Sequence, residues 1–424
     1  MTNGYRDTPL GRFFKIKHGF AFKGEHFSDQ GDYILLTPGN FGAAGGLKLK
    51  GDKEKYYIGP IPPDFVLRHG DLIVAMTDLT QNAPILGAPA VVPDDNRFLH
   101  NQRLGKIIDL DERNLHPRFL FHVFNFPGVR AQIKASATGS TVKHTAPERI
   151  YSVKAPIPAD VRVQRKIASV LSTYDDLIEN NTKRIKILEE MARSLYREWF
   201  VNFRFPGHEK TKFTTSKLGK IPAGWTPGVF TDMAEILSGG TPSTAVPSYW
   251  DGRIPWFTPR DAGDSFYVLD TDKHLTDEGV ENCASEEYPA DTIFITARGT
   301  VGKLALAGLP MAVNQSCYAV RGKAGYAQRF LYLALLAQVE YLKTNVGGAT
   351  FATIVTDTFK RMSVTIPPAS LVSKFDDLAA PIFGRVRLLG LQNANLRATR
   401  DLLLPRLISG EIDVSSLRLE SAAL

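Results

Sequence analysis

The chain has 424 residues, a length that predicts roughly two to four domains. Hydrophobic residues make up 43% and aromatic residues 10%, which is enough for packed cores and excludes disorder as the main state. The net charge of +7 is compatible with a polyanion as partner. Two cysteines exclude a disulfide scaffold and a cysteine-rich zinc module. A polar beginning and the lack of any run of about 18 apolar residues predict a soluble, cytoplasmic protein.

The first part of the chain, about residues 1–158, is rich in glycine, proline and short apolar runs such as Asp32–Leu36. This pattern is typical of short strands joined by turns. A longer apolar pattern over Phe119–Ile133 predicts a helix or two near the end of this part. The sequence therefore predicts an α+β domain here.

The next segment, Val163–Phe200, contains neither glycine nor proline. Its apolar residues recur every seven positions, which predicts a heptad helix of about 40 residues, or about 60 Å. The two heptad series consist of Leu171, Ile178, Ile185, Ala192 and Trp199, and of Tyr174, Asn181, Leu188 and Leu195.

The second half of the chain repeats the first. A globular part, about residues 216–368, has a predicted helix over Arg329–Lys343. It is followed by a second heptad pattern that Pro381 and Gly384 weaken near its start. The series are Phe375, Ile382, Leu389, Leu396 and Leu403, and Ala379, Val386, Asn393 and Arg400. Matching stretches keep their order, and they include Thr37-Pro38 with Thr258-Pro259, Asn101-Gln102 with Asn314-Gln315, and Asp71–Thr77 with Asp291–Ala297.

Each heptad stripe would face water by itself, so we predict that the two helices pack on each other as an antiparallel coiled coil. The alternative is an ordinary core-facing helix in each half. The predicted fold is α+β, with two tandem similar globular α/β domains, each followed by a long helix, in a pseudo-two-fold repeat. The predicted boundaries are 1–158 for the first domain, 159–205 for the central helix, 206–368 for the second domain and 369–424 for the C-terminal helix and tail.

Residue patterns of known catalytic sites are missing. Gly299–Lys303 lacks the first glycine and the hydroxyl residue of a phosphate-binding loop. Ser140–Lys143 matches a serine–lysine motif only by letters, because its companion motifs are absent. His116 and His122 have no third metal ligand nearby in sequence. The sequence therefore predicts a binding protein that is not an enzyme and that holds neither a metal nor a cofactor.

Several stretches together resemble the specificity (S) subunit of type I restriction–modification systems, over essentially the whole length. They are Leu237–Ser243, Thr138–Lys143 ahead of Ala155–Pro158, Gln164–Leu171, Arg197–Pro206 and Leu404–Ile412. The resemblance implies two target recognition domains that each read one half of a bipartite, asymmetric double-stranded DNA site. It also implies that the long helices fix the distance between the two domains and dock two methyltransferase subunits. Those subunits supply S-adenosylmethionine and methylate adenine, and restriction subunits join this core.

DNA contacts are expected from loop side chains at matching positions of the two halves, because Arg and Lys suit guanine or phosphate and Asn and Gln suit adenine. Solvated turn residues are the alternative for each. The candidates in the first domain are Thr77, Gln81, Asn82, Ser140, Thr141, Lys143 and His144. Those in the second are Thr241, Ser243, Arg260, Arg298, Thr300, Lys303 and Thr350.

An aromatic cluster lies at the exit of the first long helix: Trp199, Phe200, Phe203 and Phe205. It is either a docking surface for the methylating subunit or a plug between the helix and the next domain. Two other functions remain open at this point. One is a fused or stand-alone DNA methyltransferase with unrecognised motifs, and the other is a coiled-coil scaffold that binds only protein.

Overall fold

The computed structural model describes residues 4–323, 325–345 and 353–417. Internal contacts divide the chain into two compact units. Unit 1 comprises Met1–Asp176 and Leu396–Leu424, and unit 2 comprises Leu177–Asn395. None of the helices in the described part of the chain combines the length and apolar character that crossing a bilayer requires.

Unit 1 is built from short strands, three short helices and the ends of two long ones. The strands are β1 (Tyr5–Pro9), β2 (Lys15–His18), β3 (Phe27–Ser28), β4 (Ile34–Leu36), β5 (Tyr56–Tyr57), β6 (Leu72–Ala75), β7 (Thr77–Asp78), β8 (Pro89–Val91), β9 (Phe98–His100), β10 (Leu104–Ile108), β11 (Lys143–His144) and β12 (Lys154–Pro158). The helices are α1 (Pro117–Asn125), α2 (Pro127–Ala135), α3 (Pro147–Ser152) and the beginning of α4 (Val161–Tyr196).

Unit 2 follows the same plan. Its strands are β13 (Phe213–Ser216), β14 (Gly219–Pro222), β15 (Thr226–Val229), β16 (Ala234–Ser238), β17 (Trp250–Phe257), β18 (Tyr267–Val268), β19 (His274–Leu275), β20 (Ile293–Thr296), β21 (Leu304–Ala307), β22 (Ala312–Val313), β23 (Cys317–Gly322) and β24 (Ser363–Ile366). Its helices are α5 (Asp277–Glu281), α6 (Gln328–Asn345), α7 (Thr356–Arg361) and most of α8 (Ala369–Ile408).

The two units share their sheet topology. The order β2-β10-β6-β8 in unit 1 matches β16-β23-β20-β21 in unit 2, where β18 adds a further strand. The antiparallel pair β1–β12 matches β15–β24, and the parallel pair β4–β9 matches β17–β22. The equal strand order in both units confirms the tandem repeat that the sequence predicts.

Two glycines mark the same close approach in both units. A Cβ on Gly19 would lie 2.0 Å from the carbonyl oxygen of Asn101, and one on Gly239 would lie 2.1 Å from that of Asn314. No side chain fits at such a distance, so both positions require glycine.

The strand register corrects one detail of the predicted repeat. Ala75 pairs with Leu104, three residues after Asn101, and Thr296 pairs with Cys317, three residues after Asn314. Ala75 therefore corresponds to Thr296, which moves the predicted match of Asp71–Thr77 by one residue. The sequence comparison did not detect this shift, because the apolar run of one half matches that of the other almost equally well in either alignment.

Both long helices form as the heptads predict. Helix α4 continues into a π-helical turn, Arg197–Val201, and α8 runs unbroken through Pro381 and Gly384. The two helices pack antiparallel in each unit. In unit 1, Asp175 accepts a hydrogen bond from Arg400, and in unit 2, Asn181 bonds Asn393 while Tyr196 contacts Phe375. Residues later in α4 therefore contact residues earlier in α8, as in an antiparallel pair.

The helical stretch predicted over Phe119–Ile133 is divided into two helices. Helix α1 ends at Asn125 and α2 begins with Pro127 at its first position. Proline lacks the N–H that a continuing helix needs and disfavours helical geometry in the residue before it, here Phe126, whose φ and ψ are −62° and 127°. Buried residues of both helices, including Phe119, Phe124 and Ile133, belong to the core of unit 1.

Candidate nucleic-acid interface

Three of the residues expected to contact DNA come together in unit 1. Strand β7 pairs antiparallel with β11, which sets Lys143 opposite Asp78 and His144 opposite Thr77. Thr77 Oγ1 and His144 Nδ1 share a hydrogen bond of 3.0 Å. Thr77 is 4% exposed while His144 is exposed, so the threonine supports the imidazole and the imidazole is the group that faces solvent.

A turn before β11 carries two more candidates, Ser140 and Thr141, and both are exposed. Gly139, with φ 95°, opens this turn and accepts a hydrogen bond of 2.8 Å from Lys143 Nζ through its carbonyl oxygen. Backbone hydrogen bonds of 2.9 Å in both directions between Thr138 and His144 close it. The turn therefore presents small hydroxyl side chains from a fixed base.

Gln81 and Asn82 lie in the loop after β7, and both side chains are exposed. The loop is held from inside by Asp78, a residue that sequence reasoning did not single out. Its carboxylate accepts hydrogen bonds from the Thr80 backbone N–H at 2.9 Å and from the Ile85 backbone N–H at 2.7 Å. The only sequence signal for this role is an acid directly after a buried apolar strand, which is a common turn pattern.

The corresponding loop of unit 2 joins β20 to β21 and carries Arg298, Thr300 and Lys303. Arg298 and Thr300 are exposed, whereas Lys303 Nζ lies 3.4 Å from Asp264 and donates to the Ala262 carbonyl at 3.2 Å. The Thr296 hydroxyl closes the loop, because it donates to the Thr300 carbonyl and accepts from the Lys303 N–H. By strand register, Arg298 stands where unit 1 has Thr77.

The other candidates of unit 2 are spread over separate loops. Arg260 is exposed on a turn in which Thr258 bonds the Asp261 carboxylate, as Thr37 bonds Asn40 in unit 1. Ser243 is exposed, but the hydroxyl of Thr241 is buried and has no hydrogen-bond partner among the described residues. Thr350 lies outside the described residues.

Sequence reasoning also missed Glu189, a buried acid on α4. Its carboxylate accepts hydrogen bonds from the Ser265 hydroxyl at 2.7 Å and the Phe266 N–H at 2.8 Å. Burial raises the pKa of Glu189 above its ordinary value. The residue ties the long helix to the segment that leads from Arg260 to β18. It sits beside the heptad stripe, where a charged residue is ordinary, so the sequence carries no signal for it.

The aromatic cluster at the end of α4 is packed inside unit 2. Trp199, Phe200 and Phe205 are all less than a tenth exposed. Phe200 meets Phe375 at 5.0 Å and Phe330 at 4.8 Å between ring centroids, and Phe203 meets Trp225 at 5.3 Å. This burial corresponds to the plug interpretation, since a docking surface needs exposed rings in the free chain.

Two buried histidines of unit 1 are neutral at physiological pH. Burial lowers the pKa of His100 to about 4 and that of His122 to about 3. Over residues 4–323, 325–345 and 353–417, no group of three His, Cys, Asp or Glu side chains is arranged to hold a metal ion.

Comparison with known proteins agrees with the duplicated fold. The family model for the type I restriction modification DNA specificity domain matches residues 3–190 and again 222–371. A solved structure, the S subunit of a type I restriction-modification system from M. genitalium, superposes with a TM-score of 0.60 over 98% of each chain at 17% identity. That likeness establishes the fold.

Curated relatives carry the same family name. The MjaIX specificity subunit of Methanocaldococcus jannaschii is 32% identical over 42% of this chain and 43% of its own length. The HindI specificity subunit of Haemophilus influenzae is 23% identical over 72% of this chain and 80% of its own. Both are named as the specificity subunit of a type I restriction enzyme. Because the family model covers most of the sequence in two copies, the chain belongs to the type I restriction–modification DNA specificity family.

Proposed function

We propose that this chain is the non-catalytic DNA-recognition subunit of a type I restriction–modification complex and that each unit reads one half of a bipartite, asymmetric site. The observation that carries the proposal is the pair of loops that join corresponding strands, β6 to β8 in unit 1 and β20 to β21 in unit 2, because each loop carries exposed polar side chains. The two loops differ in sequence but stand on sheets with the same strand order, which suits the reading of two half-sites that differ in sequence.

The base-reading groups in this proposal are side chains that solvent reaches, of which Lys143 and Lys303 are half-buried and the others exposed. In unit 1 they are Gln81, Asn82, Ser140, Thr141, Lys143 and His144, and in unit 2 they are Ser243, Arg260, Arg298, Thr300 and Lys303. Amide side chains can bond adenine at two points and an arginine can bond guanine in the same way. Thr77 acts through His144, since its own hydroxyl is buried against that ring.

Partner subunits supply the chemistry in this proposal: modification subunits methylate adenine with S-adenosylmethionine, and restriction subunits join the assembly. The long helices offer them apolar surface, because Ile187 and Met191 of α4 are 61% and 51% exposed and lie one turn apart. Leu388 and Leu391 of α8 are also exposed. Large exposed side chains at helical spacing are typical of a surface that another helix covers.

A methylation map tests the proposal. The chain is expressed with the modification subunits of its own system, and modified adenines are mapped in the host DNA. We expect one bipartite motif whose two halves differ. Modification at unrelated positions, or the same motif when this chain is omitted, would contradict the proposed role.

The spacer between the half-sites offers a second test. We propose that the paired helices set it, so a heptad inserted into both helices, after Asp176 and after Asn395, should lengthen the spacer. Seven residues add about 10 Å, which is about three base pairs of B-DNA at 3.4 Å each. Both half-sites should stay unchanged. The exit of α4 is left intact in this test, because Phe200 and Phe205 pack in the core of unit 2.

A further inference from the structure

The loop of unit 1 between β7 and Ile85 carries Gln81 and Asn82 at its exposed tip. Its two ends are tied to one carboxylate. Asp78 is 1% exposed and accepts from the Thr80 N–H and the Thr80 hydroxyl, at 2.9 and 2.7 Å, and from the Ile85 N–H at 2.7 Å. A buried carboxylate that accepts several hydrogen bonds holds its donors firmly, so these bonds fix the base of the loop.

A second buried group holds the same loop from the helix side. Arg130 of α2 is 9% exposed and donates through Nη2 to the Pro84 carbonyl, next to Ile85. Its Nε has no hydrogen-bond partner among the described residues. Burial lowers the pKa of Arg130 to about 10 and the nearby Asp78 opposes that shift, so the guanidinium stays charged at neutral pH. Keeping a charged arginine buried is costly, which implies a specific use.

The space beside this contact is not filled. A cavity of about 400 Å³ is lined by Pro84, Asn125, Arg130 and Lys134, among others. Apolar packing therefore does not hold Pro84 on that side. The hydrogen bond from Arg130 is a second polar contact on the loop's outgoing end, beside the one from the Ile85 N–H to Asp78.

The described residues of unit 2 close the corresponding loop in another way. By register, Asp78 corresponds to Gly299, and the loop of unit 2 is closed by the Thr296 hydroxyl. A perturbation at Asp78 or Arg130 thus acts on one unit, and the other unit of the same molecule serves as an internal reference.

We propose that Asp78 and Arg130 are positioning residues for base recognition by unit 1: neither touches DNA, yet together they set the placement of Gln81 and Asn82. The proposal rests on the proposed function. A two-point contact from an amide to adenine depends on placement, and a good one discriminates by roughly tenfold to a hundredfold. Loosening the loop should therefore reduce discrimination at the first half-site more than it reduces affinity for DNA in general.

The test uses the chain assembled with its modification subunits. Binding is measured by competition with duplexes that each carry one base change in either half-site. For Asp78→Ala and for Arg130→Gln, we expect discrimination at one or two positions of the first half-site to fall about tenfold, while the second half-site keeps its profile. Arg130→Gln leaves the Asp78 hydrogen bonds in place, so it carries the test if Asp78→Ala does not fold.

Asp71→Asn is the matched control. Asp71 precedes β6 in the same sheet and is a half-buried acid that pairs with Lys106 at 2.6 Å, away from the loop. We expect this variant to lower the thermal midpoint without changing base preference. Unchanged preference in both loop variants, or a uniform loss over all duplexes, would overturn the proposal. A wild-type complex without base preference at either half-site would refute the proposed function instead.

Discussion

The pairing of Asn181 with Asn393 predicts a measurable coupling between the two long helices. Both side chains are less than a tenth exposed, and Asn181 Nδ2 donates to Asn393 Oδ1 at 3.0 Å. Asn393 Nδ2 in turn lies 3.2 Å from the Thr182 hydroxyl and 3.4 Å from the Ile178 carbonyl. Each heptad pattern contains one asparagine, and the two meet, so any shift of one helix along the other would leave both amides buried without partners.

Removing one partner should cost about 1–3 kcal/mol, because a buried acceptor or donor then loses its hydrogen bond. For a unit of this size, that corresponds to a fall of about 2–12 °C in the thermal midpoint of unit 2. Asn181→Ala and Asn393→Ala should each show it. The double variant should cost less than the sum of the two, by about 0.5–3 kcal/mol, since the second substitution removes a group that is already unpaired.

The assay is thermal unfolding of the wild type, the two single variants and the double variant. Unfolding is monitored by calorimetry so that the transitions of the two units are separated. Asn180→Ala is the control, because Asn180 is the neighbouring residue on α4 and is exposed. Strictly additive effects, or equal losses for Asn180→Ala and Asn181→Ala, would refute the reasoning. Replacing both asparagines by leucine should keep or raise stability while spacer lengths in the methylation map become heterogeneous, since the polar pair that fixes register is gone.

Three further outcomes are expected. The folded pKa of the buried Glu189 is raised, so its ionisation lowers stability as the pH rises above about 4.5. Glu189→Gln should therefore gain thermal midpoint relative to wild type as the pH rises above that value. Gly239→Ala should destabilise unit 2 by at least ~1–3 kcal/mol in thermal unfolding, because its Cβ would strike the Asn314 carbonyl. Arg298→Ala should weaken DNA binding by about 1–3 kcal/mol, with relaxed base preference at one position of the second half-site.

The glycine and arginine variants each have a control in unit 2. Gly263→Ala should be close to neutral, since a Cβ there meets nothing within 4 Å. Arg361→Ala removes an exposed helix arginine that pairs with Asp357 and should leave base preference unchanged. A Glu189→Gln midpoint that stays parallel to wild type over the pH range, or an Arg298→Ala loss that is equal for all duplexes, would count against the respective assignment.

The sequence by itself determined the features that repeat locally along the chain. A seven-residue period without helix breakers predicted α4, and the same period predicted α8 despite Pro381. Conserved order between the halves, such as Asn101-Gln102 and Asn314-Gln315, predicted the tandem repeat and the family. These features are set by spacing along one chain segment, which periodicity reports directly.

The tertiary structure decided which side chains face solvent and which groups hold the loops. The sequence favoured neither a docking surface nor a buried plug for the aromatic cluster at the end of α4. The packing of Phe200 against Phe330 and Phe375 distinguishes these two interpretations. Asp78 and Glu189 are ordinary acids in sequence, yet each is buried and organises a loop through donors from other residues. Burial and hydrogen-bond partners depend on segments that are distant along the chain, and no local pattern encodes them.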